Sequence, residues 1–318
     1  MTYRTVLESA RNSEYRVSLK PGKGWLKRNF ITQVYLPSLF TRRKGKAHLP
    51  EFPVLGEDDI CLTWIGHASF LIQWRELNIL VDPIWSLWLK IIKRIRRPGF
   101  SLKHLPAIDL VLVTHAHFDH LDRKTLRRIA SCQPIVVPDG VGNLVHDLGF
   151  NQVHELTPWE SLYVGEVEIT LTPCHHWGAR VLHDSHRGFG GFHIKLGSRT
   201  IFHCGDSAYF PGFSEIGNRL TTQIALLPIG AYDPPSRREV HMNPEQAVKA
   251  FKELKADVMV PMHYGSFRLS FEPPEEPLRR LKAEVLKYKM EGKVLIMEEG
   301  IPTVFCAEST TSSCATER

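Results

Sequence analysis

Thr114-His115-Ala116-His117-Phe118-Asp119-His120-Leu121-Asp122 brings three imidazoles and a carboxylate into the six positions 115–120. Imidazole and carboxylate are the ligands that suit zinc, iron or manganese, and so compact a cluster has few other uses. The apolar run Leu110-Val111-Leu112-Val113 stands directly before it. A β-branched apolar run of this length, entered from a proline and followed by polar residues, reads as a buried strand. The polar groups then sit on the loop leaving the strand. Four ligands on one tetrahedral metal would leave little room for water. Two metals, with His115 and His117 on one and Asp119 and His120 on the other, solve that problem better. The plain alternative is a solvated histidine-rich turn, which further candidate ligands at three more strand ends argue against.

Those strand ends are the elements that must position the chemistry. Glu166-Val-Glu-Ile-Thr-Leu-Thr-Pro ends in Cys174-His175-His176-Trp177; Thr200-Ile-Phe-His-Cys-Gly is followed by Asp206; and Asp257-Val-Met-Val-Pro-Met delivers His263. With either His175 or His176, the set supplies five imidazoles and two carboxylates. Two metals with three protein ligands each and one shared carboxylate use all seven, and each metal keeps an open position for water. Metals about 3.5–4 Å apart acidify that water, orient it as a nucleophile and hold the leaving oxygen. Upstream, Cys61 to Trp74 and Leu77 to Pro83 read as strands joined by a turn near Arg75-Glu76. Asp82, at the end of the second strand, reads equally as a hydrogen-bonding support for a ligand loop or as a turn-starting residue. His67 reads as a hydrogen-bonded structural histidine close to the site.

Other segments carry weaker signals. Trp85 to Phe100 has Leu87, Ile91, Ile92 and Ile95 at helical spacing with Lys90, Lys93, Arg94, Arg96 and Arg97 between them, and predicts a basic amphipathic helix. Such a helix packs on the core or lies on an anionic membrane surface. Helices are also expected over Leu26 to Phe40, Arg123 to Ser131, Gly140 to Gly149 and Glu275 to Glu291. A further helix runs from Pro244 to about Leu254, with Asn243 as its N-cap. Arg42-Arg43-Lys44-Gly45-Lys46 reads as a solvated linker, with a phosphate or membrane patch as the sharper alternative. Strands alternate with helices without a strict βαβ rhythm, which fits a two-sheet sandwich flanked by helices.

Composition sets outer bounds. The 318 residues carry a formal charge of +6, sixteen histidines and six cysteines without a CxxC pair. This argues against a disulfide framework and a thiolate zinc site, and fits a reducing cytoplasm. No signal-peptide core or transmembrane stretch is present. The positive charge permits contact with phosphates, nucleic acid or anionic lipid without requiring it.

The order HxHxDH, then His, Asp and His, with Asp82 ahead, resembles the metallo-β-lactamase superfamily. Within it, the chain resembles the N-acyl-phosphatidylethanolamine phospholipase D branch. Trp64-Ile-Gly-His-Ala, Val81-Asp-Pro-Ile, Leu105-Pro-Ala-Ile-Asp, His176-Trp177, Cys204-Gly-Asp-Ser, Leu227-Pro-Ile-Gly-Ala-Tyr, His241-Met-Asn-Pro-Glu-Gln-Ala and Pro261-Met-His-Tyr-Gly-Ser-Phe carry the resemblance. Bacterial ascorbate-phosphate lactonases share several of them. The resemblance implies a four-layer αβ/βα sandwich, expected over residues 51–306; by texture and composition, 1–50 read as an extension and the Ser/Thr-rich 307–318 as a disordered tail. It implies two zinc ions, or iron or manganese. His115, His117 and His176 would hold the first, Asp119, His120 and His263 the second, and Asp206 would bridge. Asp119, Asp206 and a substrate-side His241 are the expected catalytic residues; from the residues alone, His241 merely precedes a helix.

The expected activity is phospholipase D-type phosphodiester cleavage of N-acylphosphatidylethanolamine-like lipids through a metal-bound hydroxide. The alternative is a lactonase or another hydrolase of a small phosphorylated metabolite. The segment after the Asp-Pro motif does not clearly match the phospholipase lipid entrance. A phospholipid or small-molecule substrate is expected, with peripheral contact of Trp85–Phe100 at the inner membrane surface of the cytoplasm. No nucleic-acid partner is expected, and a homodimer is left open. A non-catalytic scaffold on the same fold would show lost ligands, whereas all seven positions are filled.

Overall fold

The computed structural model describes residues 22–23, 28–180, 184 and 186–306. Part of the expected first helix (Leu26 and Lys27) and the expected tail 307–318 lie outside them. Two sheets dominate. One holds β1 (Ile60–Gly66), β2 (Ser69–Trp74), β3 (Leu77–Val81), β6 (Leu110–Leu112), β7 (Pro134–Pro138), β8 (Gln152–Leu156) and β15 (Pro302–Phe305), in the order β15-β1-β2-β3-β6-β7-β8. The other runs β14-β13-β12-β11-β10-β9, from β9 (Ser161–Val164), β10 (Val167–Thr172), β11 (Gly191–Leu196), β12 (Arg199–His203), β13 (Ile224–Pro228) and β14 (Val258–Met262). A small ribbon pairs β4 (Trp88–Leu89) with β5 (Ile92–Lys93).

Successive strand residues face opposite sides, so a strand covered on both faces must be apolar throughout. The run before the histidine loop shows this. Leu110 and Leu112 enter the core between the sheets, while Val111 and Val113 enter a second core on the outer face. That outer core is closed by Leu126 and Ile129 of one helix and by Val141 and Val145 of a turn. Helices on the far side of the second sheet complete the four-layer αβ/βα sandwich. The helices are α1 (Leu36–Phe40), α2 (Arg123–Ile129), α3 (Gly212–Arg219), α4 (Pro244–Leu254) and α5 (Glu276–Tyr288). Phe213, Ala247, Phe251, Leu281 and Val285 bury against the second sheet.

Asn243 caps α4 as expected. Its side chain accepts from Gln246 N at 2.9 Å, and the Gln246 amide oxygen accepts from Asn243 N at 3.0 Å, with Pro244 in the first turn. Asn243→Ala removes the side-chain half of this box and should cost about 1 kcal/mol, read as a lower urea midpoint with an unchanged slope. An unchanged midpoint would mean that packing of Phe251 and Leu254 alone holds the helix.

Two expected helices are absent. Trp85 to Phe100 folds as the β4–β5 ribbon, turned at Lys90 in the left-handed region (φ 54°). The periodicity assumed solvent for every cation, but Arg94 is fully buried. Its guanidinium donates to the carbonyls of Ile84, Ile65 and Arg96. These long-range bonds outweigh helical propensity. Gly140 to Gly149 forms only a 3-10 turn at Gly142–Leu144, where Gly142 N donates to the Glu155 carboxylate at 2.6 Å. Nor is the 42–46 run a free linker. Arg43 donates to Arg94 O and Leu87 O, and Lys44 bridges to Arg96, which fastens the run along the ribbon. Among the described residues, no helix is long and apolar enough to cross a membrane.

Candidate metal centre

Strands β1, β3, β6, β10, β12 and β14 all end at one edge of the sandwich, because each runs in the same sense within its sheet. Their exits deliver His67, Asp82, the 115–120 loop, His176, Asp206 and His263 to a common point. Three of these residues sit in the left-handed backbone region: His67 (φ 58°), Asp82 (φ 45°) and His263 (φ 61°). Non-glycine residues there cost on the order of 1 kcal/mol or more each, and such strain gathers at functional sites. His263 N donates to His67 O at 3.0 Å, tying the two sheets together at this edge.

The donor atoms fall into two groups. In the first, His115 Nε2 lies 2.9 Å from His117 Nδ1, and His176 Nε2 lies 3.3 Å from the same atom. Three nitrogens on one tetrahedral zinc at 2.0–2.1 Å stand about 3.3 Å apart, so the spacing fits a single cation. In the second group, His263 Nε2 lies 3.5 Å from Asp119 Oδ2 and His120 Nε2 lies 3.8 Å from it. Asp206 stands between the groups. Its Oδ1 is 3.2 Å from His263 Nε2; its Oδ2 is 3.2 Å from His120 Nε2 and 3.8 Å from both His115 Nε2 and His176 Nε2. His120 Nε2, His263 Nε2 and Asp206 Oδ1 are buried yet lack an aligned hydrogen-bond partner. Buried polar atoms are rarely left so unless an ion takes their lone pairs. The donor set therefore fits two divalent cations.

Supporting hydrogen bonds orient the rings. His120 Nδ1 donates to Asp82 Oδ2 at 2.6 Å, and Thr114 N and Oγ1 each donate to the same carboxylate at 2.7 Å. His176 Nδ1 donates to Val240 O at 2.9 Å, which turns Nε2 toward the centre. Of the two readings of Asp82, the geometry selects the support for a ligand loop. Asp82→Asn should weaken metal affinity about 10–100-fold, because the new amide NH2 faces donors. Competition with a chromophoric chelator measures this, and an unchanged affinity would remove Asp82 from the site.

Charge follows the same plan. Burial, followed by the neighbouring His120 and His117, holds the His115 imidazole well below its ordinary range, and burial brings His117 to about 4 and His176 well down. These rings are neutral, the form that binds cations. Burial opposes ionisation of Asp119 and Asp206, but their imidazole neighbours, led by His120, hold both carboxyls well below the usual range.

All seven expected ligands thus meet. His175 does not. Its ring lies toward Phe210, and its backbone N donates to Ser207 Oγ. His241 lies beside the second group, with Nδ1 at 3.7 Å from Asp206 Oδ2 and no hydrogen-bond partner. His67 is more intimate with the site than the sequence indicates. Its Nε2 is 2.9 Å from Asp119 Oδ2, the oxygen that faces His263. Arg180 and Arg238 were not anticipated. Arg180 donates to Ala116 O and Leu121 O, bracing the histidine loop, and stacks 4.1 Å over Phe118. Arg238 stacks 4.3 Å over Trp177, the neighbour of His176, and its Nε is buried without a partner. No local motif marks either arginine, because each acts across 59 or more positions of chain separation, in part through an aromatic face.

Residues 77–264 match the family described as the β-lactamase superfamily domain. An uncharacterized protein of Mycobacterium tuberculosis is 32% identical over 237 residues, covering 70% of this chain and 63% of its own length. The chain therefore spans less than two thirds of that relative. The N-acyl-phosphatidylethanolamine-hydrolyzing phospholipase D 1 of Caenorhabditis elegans is 31% identical over 248 residues, covering 71% of this chain and 70% of that protein. A UPF0173 metal-dependent hydrolase of Methanosarcina mazei is 31% identical over 252 residues, covering 76% of this chain and 97% of its own. Among solved structures, the metallo hydrolase Igni18 of Ignicoccus hospitalis superposes with a TM-score of 0.60 at 26% identity, covering 78% of this chain and 99% of that one. The chain belongs to the β-lactamase superfamily and has its metallo-β-lactamase fold. Its buried histidine and aspartate groups form a candidate metal-binding centre at the edge of that fold.

Proposed function

We propose that the chain is a dizinc phosphodiesterase that cleaves N-acylphosphatidylethanolamine-like phospholipids in the manner of a phospholipase D. The observation that carries the lipid substrate is an apolar, basic edge beside the histidine loop. Phe118 of that loop packs in one cluster with Leu89 and Ile92 of the β4–β5 ribbon. On the same ribbon Trp88 and Ile91 stand exposed, and α1 adds Phe40, which is 88% exposed. Lys93 Nζ ties ribbon to helix by donating to Leu39 O and Thr41 O. Exposed large apolar residues among cations suit the headgroup boundary of a bilayer. The expected lipid-facing role of Trp85–Phe100 is thus kept in the proposal, on a ribbon instead of a helix. The likeness to the worm phospholipase supports the same reading.

The chain's own residues divide the work. His115, His117 and His176 would hold one metal, Asp119, His120 and His263 the other, and Asp206 both. When bound, the metals supply Lewis acidity and an acidified water. Arg238, stacked on Trp177 with its charge felt at His117, keeps an unused Nε and suits the phosphate oxygens of an anionic substrate. His241 offers a donor to an oxygen that gains charge as the ester breaks.

Release of phosphatidic acid from N-acylphosphatidylethanolamine in mixed micelles, with and without chelator, tests the reading. Chelator-sensitive release is expected. No release from protein shown to hold two metals would sink it. The second reading, a lactonase or hydrolase of a small phosphorylated metabolite, would then stand.

A further inference from the structure

Behind the loop that follows His263 lies a cavity of about 560 Å³ that contains none of the candidate metal ligands. Its charged lining is Lys44, Arg96, Arg268, Arg279, Lys282 and Glu275, five cations against one carboxylate. The carboxylate is taken, since Lys44 Nζ lies 3.3 Å from Glu275 Oε1, and Arg96 is paired outside the cavity lining with Glu299. Among the described residues, the side chains of Arg268, Arg279 and Lys282 have no ion pair or hydrogen bond, and Arg268 Nε is shielded from solvent with no partner. Three cations gathered on one cavity without counter-charge repel one another and leave donors unused. A dianionic or monoanionic phosphate group relieves both costs at once.

From this geometry we infer that the cavity is a second ligand site, separate from the metal centre, that binds the phosphate of an organic phosphate ester. The volume lies within the range of small-molecule pockets, roughly 300–1,000 Å³, and exceeds what a bare phosphate fills. Ile95, Tyr264 and Leu278 supply an apolar wall for the organic part. The cavity reaches Thr41, the neighbour of the exposed Phe40. A phospholipid headgroup and a soluble phosphate ester present the same chemistry to these residues. The site does not depend on which bond the metal centre cleaves. Tyr264 and Gly265 directly follow His263 in the chain, so one loop borders both the cavity and the candidate ligand.

Metal-loaded full-length protein distinguishes the sources. Binding of glycerol 3-phosphate is measured by calorimetry, and binding to vesicles by co-sedimentation, with mixed phosphatidylglycerol and phosphatidylcholine against phosphatidylcholine alone. Arg279→Ala/Lys282→Ala changes only exposed positions of α5 and preserves helix propensity. Arg268→Gln is the second variant. Lys124→Ala/Arg127→Ala/Arg128→Ala removes exposed cations from α2 as a charge control. Each site variant should weaken binding about tenfold or more, as loss of charge-assisted hydrogen bonds predicts. Metal content and melting temperature should stay unchanged. Loss of anionic-vesicle binding, with competition by glycerol 3-phosphate, assigns a headgroup. Loss of glycerol 3-phosphate binding without any vesicle binding assigns a soluble ester. Equal binding by wild type and Arg279→Ala/Lys282→Ala, or equal loss in the charge control, overturns the site.

Discussion

Asp206→Asn should lower turnover by about a thousandfold, or about 4 kcal/mol of barrier, while leaving the circular dichroism spectrum intact. The size follows from the position of one side chain. Asp206 Oδ1 and Oδ2 each stand 3.2 Å from an imidazole of the second group, and Oδ2 is 3.8 Å from two imidazoles of the first. Asparagine keeps the volume but offers one ligand oxygen and no charge. A buried centre of imidazoles then loses one of the two carboxylates that balance its cations, which costs more in a low-dielectric site than at the surface. Metal content by elemental analysis should fall from two per chain toward one. Retained turnover with two metals bound would remove Asp206 from the bridge and leave Asp119 as the only carboxylate ligand.

The ligand loops were legible because each combines a short apolar strand with polar residues at its exit. Leu110 to Val113 had to be buried on both faces, and whatever follows such a strand lies at the sheet edge. The same logic placed His263 after Val258–Met262 and Asp206 after Arg199–His203. Asn243-Pro244 announced its helix by cap chemistry alone. The ribbon at Trp88–Lys93 was illegible for a complementary reason. Its decisive bonds run from Arg94 to carbonyls as far back as Ile65, and a periodicity argument counts only neighbours. His67 was undervalued because a lone histidine at a strand end gives no sign of the Asp119 carboxylate, 52 positions away, that it meets. The choice between His175 and His176 rested on resemblance until the fold turned one ring to the centre and the other toward Phe210.

His241 separates two roles that the sequence could not. Its ring centroid lies 5.2 Å from those of both His176 and His263, and its Nδ1 faces Asp206 without a hydrogen bond. Burial, only partly offset by Asp206, keeps the ring near 4, and a neutral imidazole donates an N–H without surrendering it. His241→Ala should therefore lower kcat about a hundredfold, the usual loss for one donor to a developing oxyanion, with two metals still bound. His241→Asn, whose amide also donates, should recover part of the loss, whereas a residue that must deliver a proton would recover nothing. A fall in metal content in either variant would instead make His241 a ligand, consistent with its grouping beside Asp206 and His263. The ratio of the two kcat values, taken with elemental analysis, decides among donor, acid and ligand.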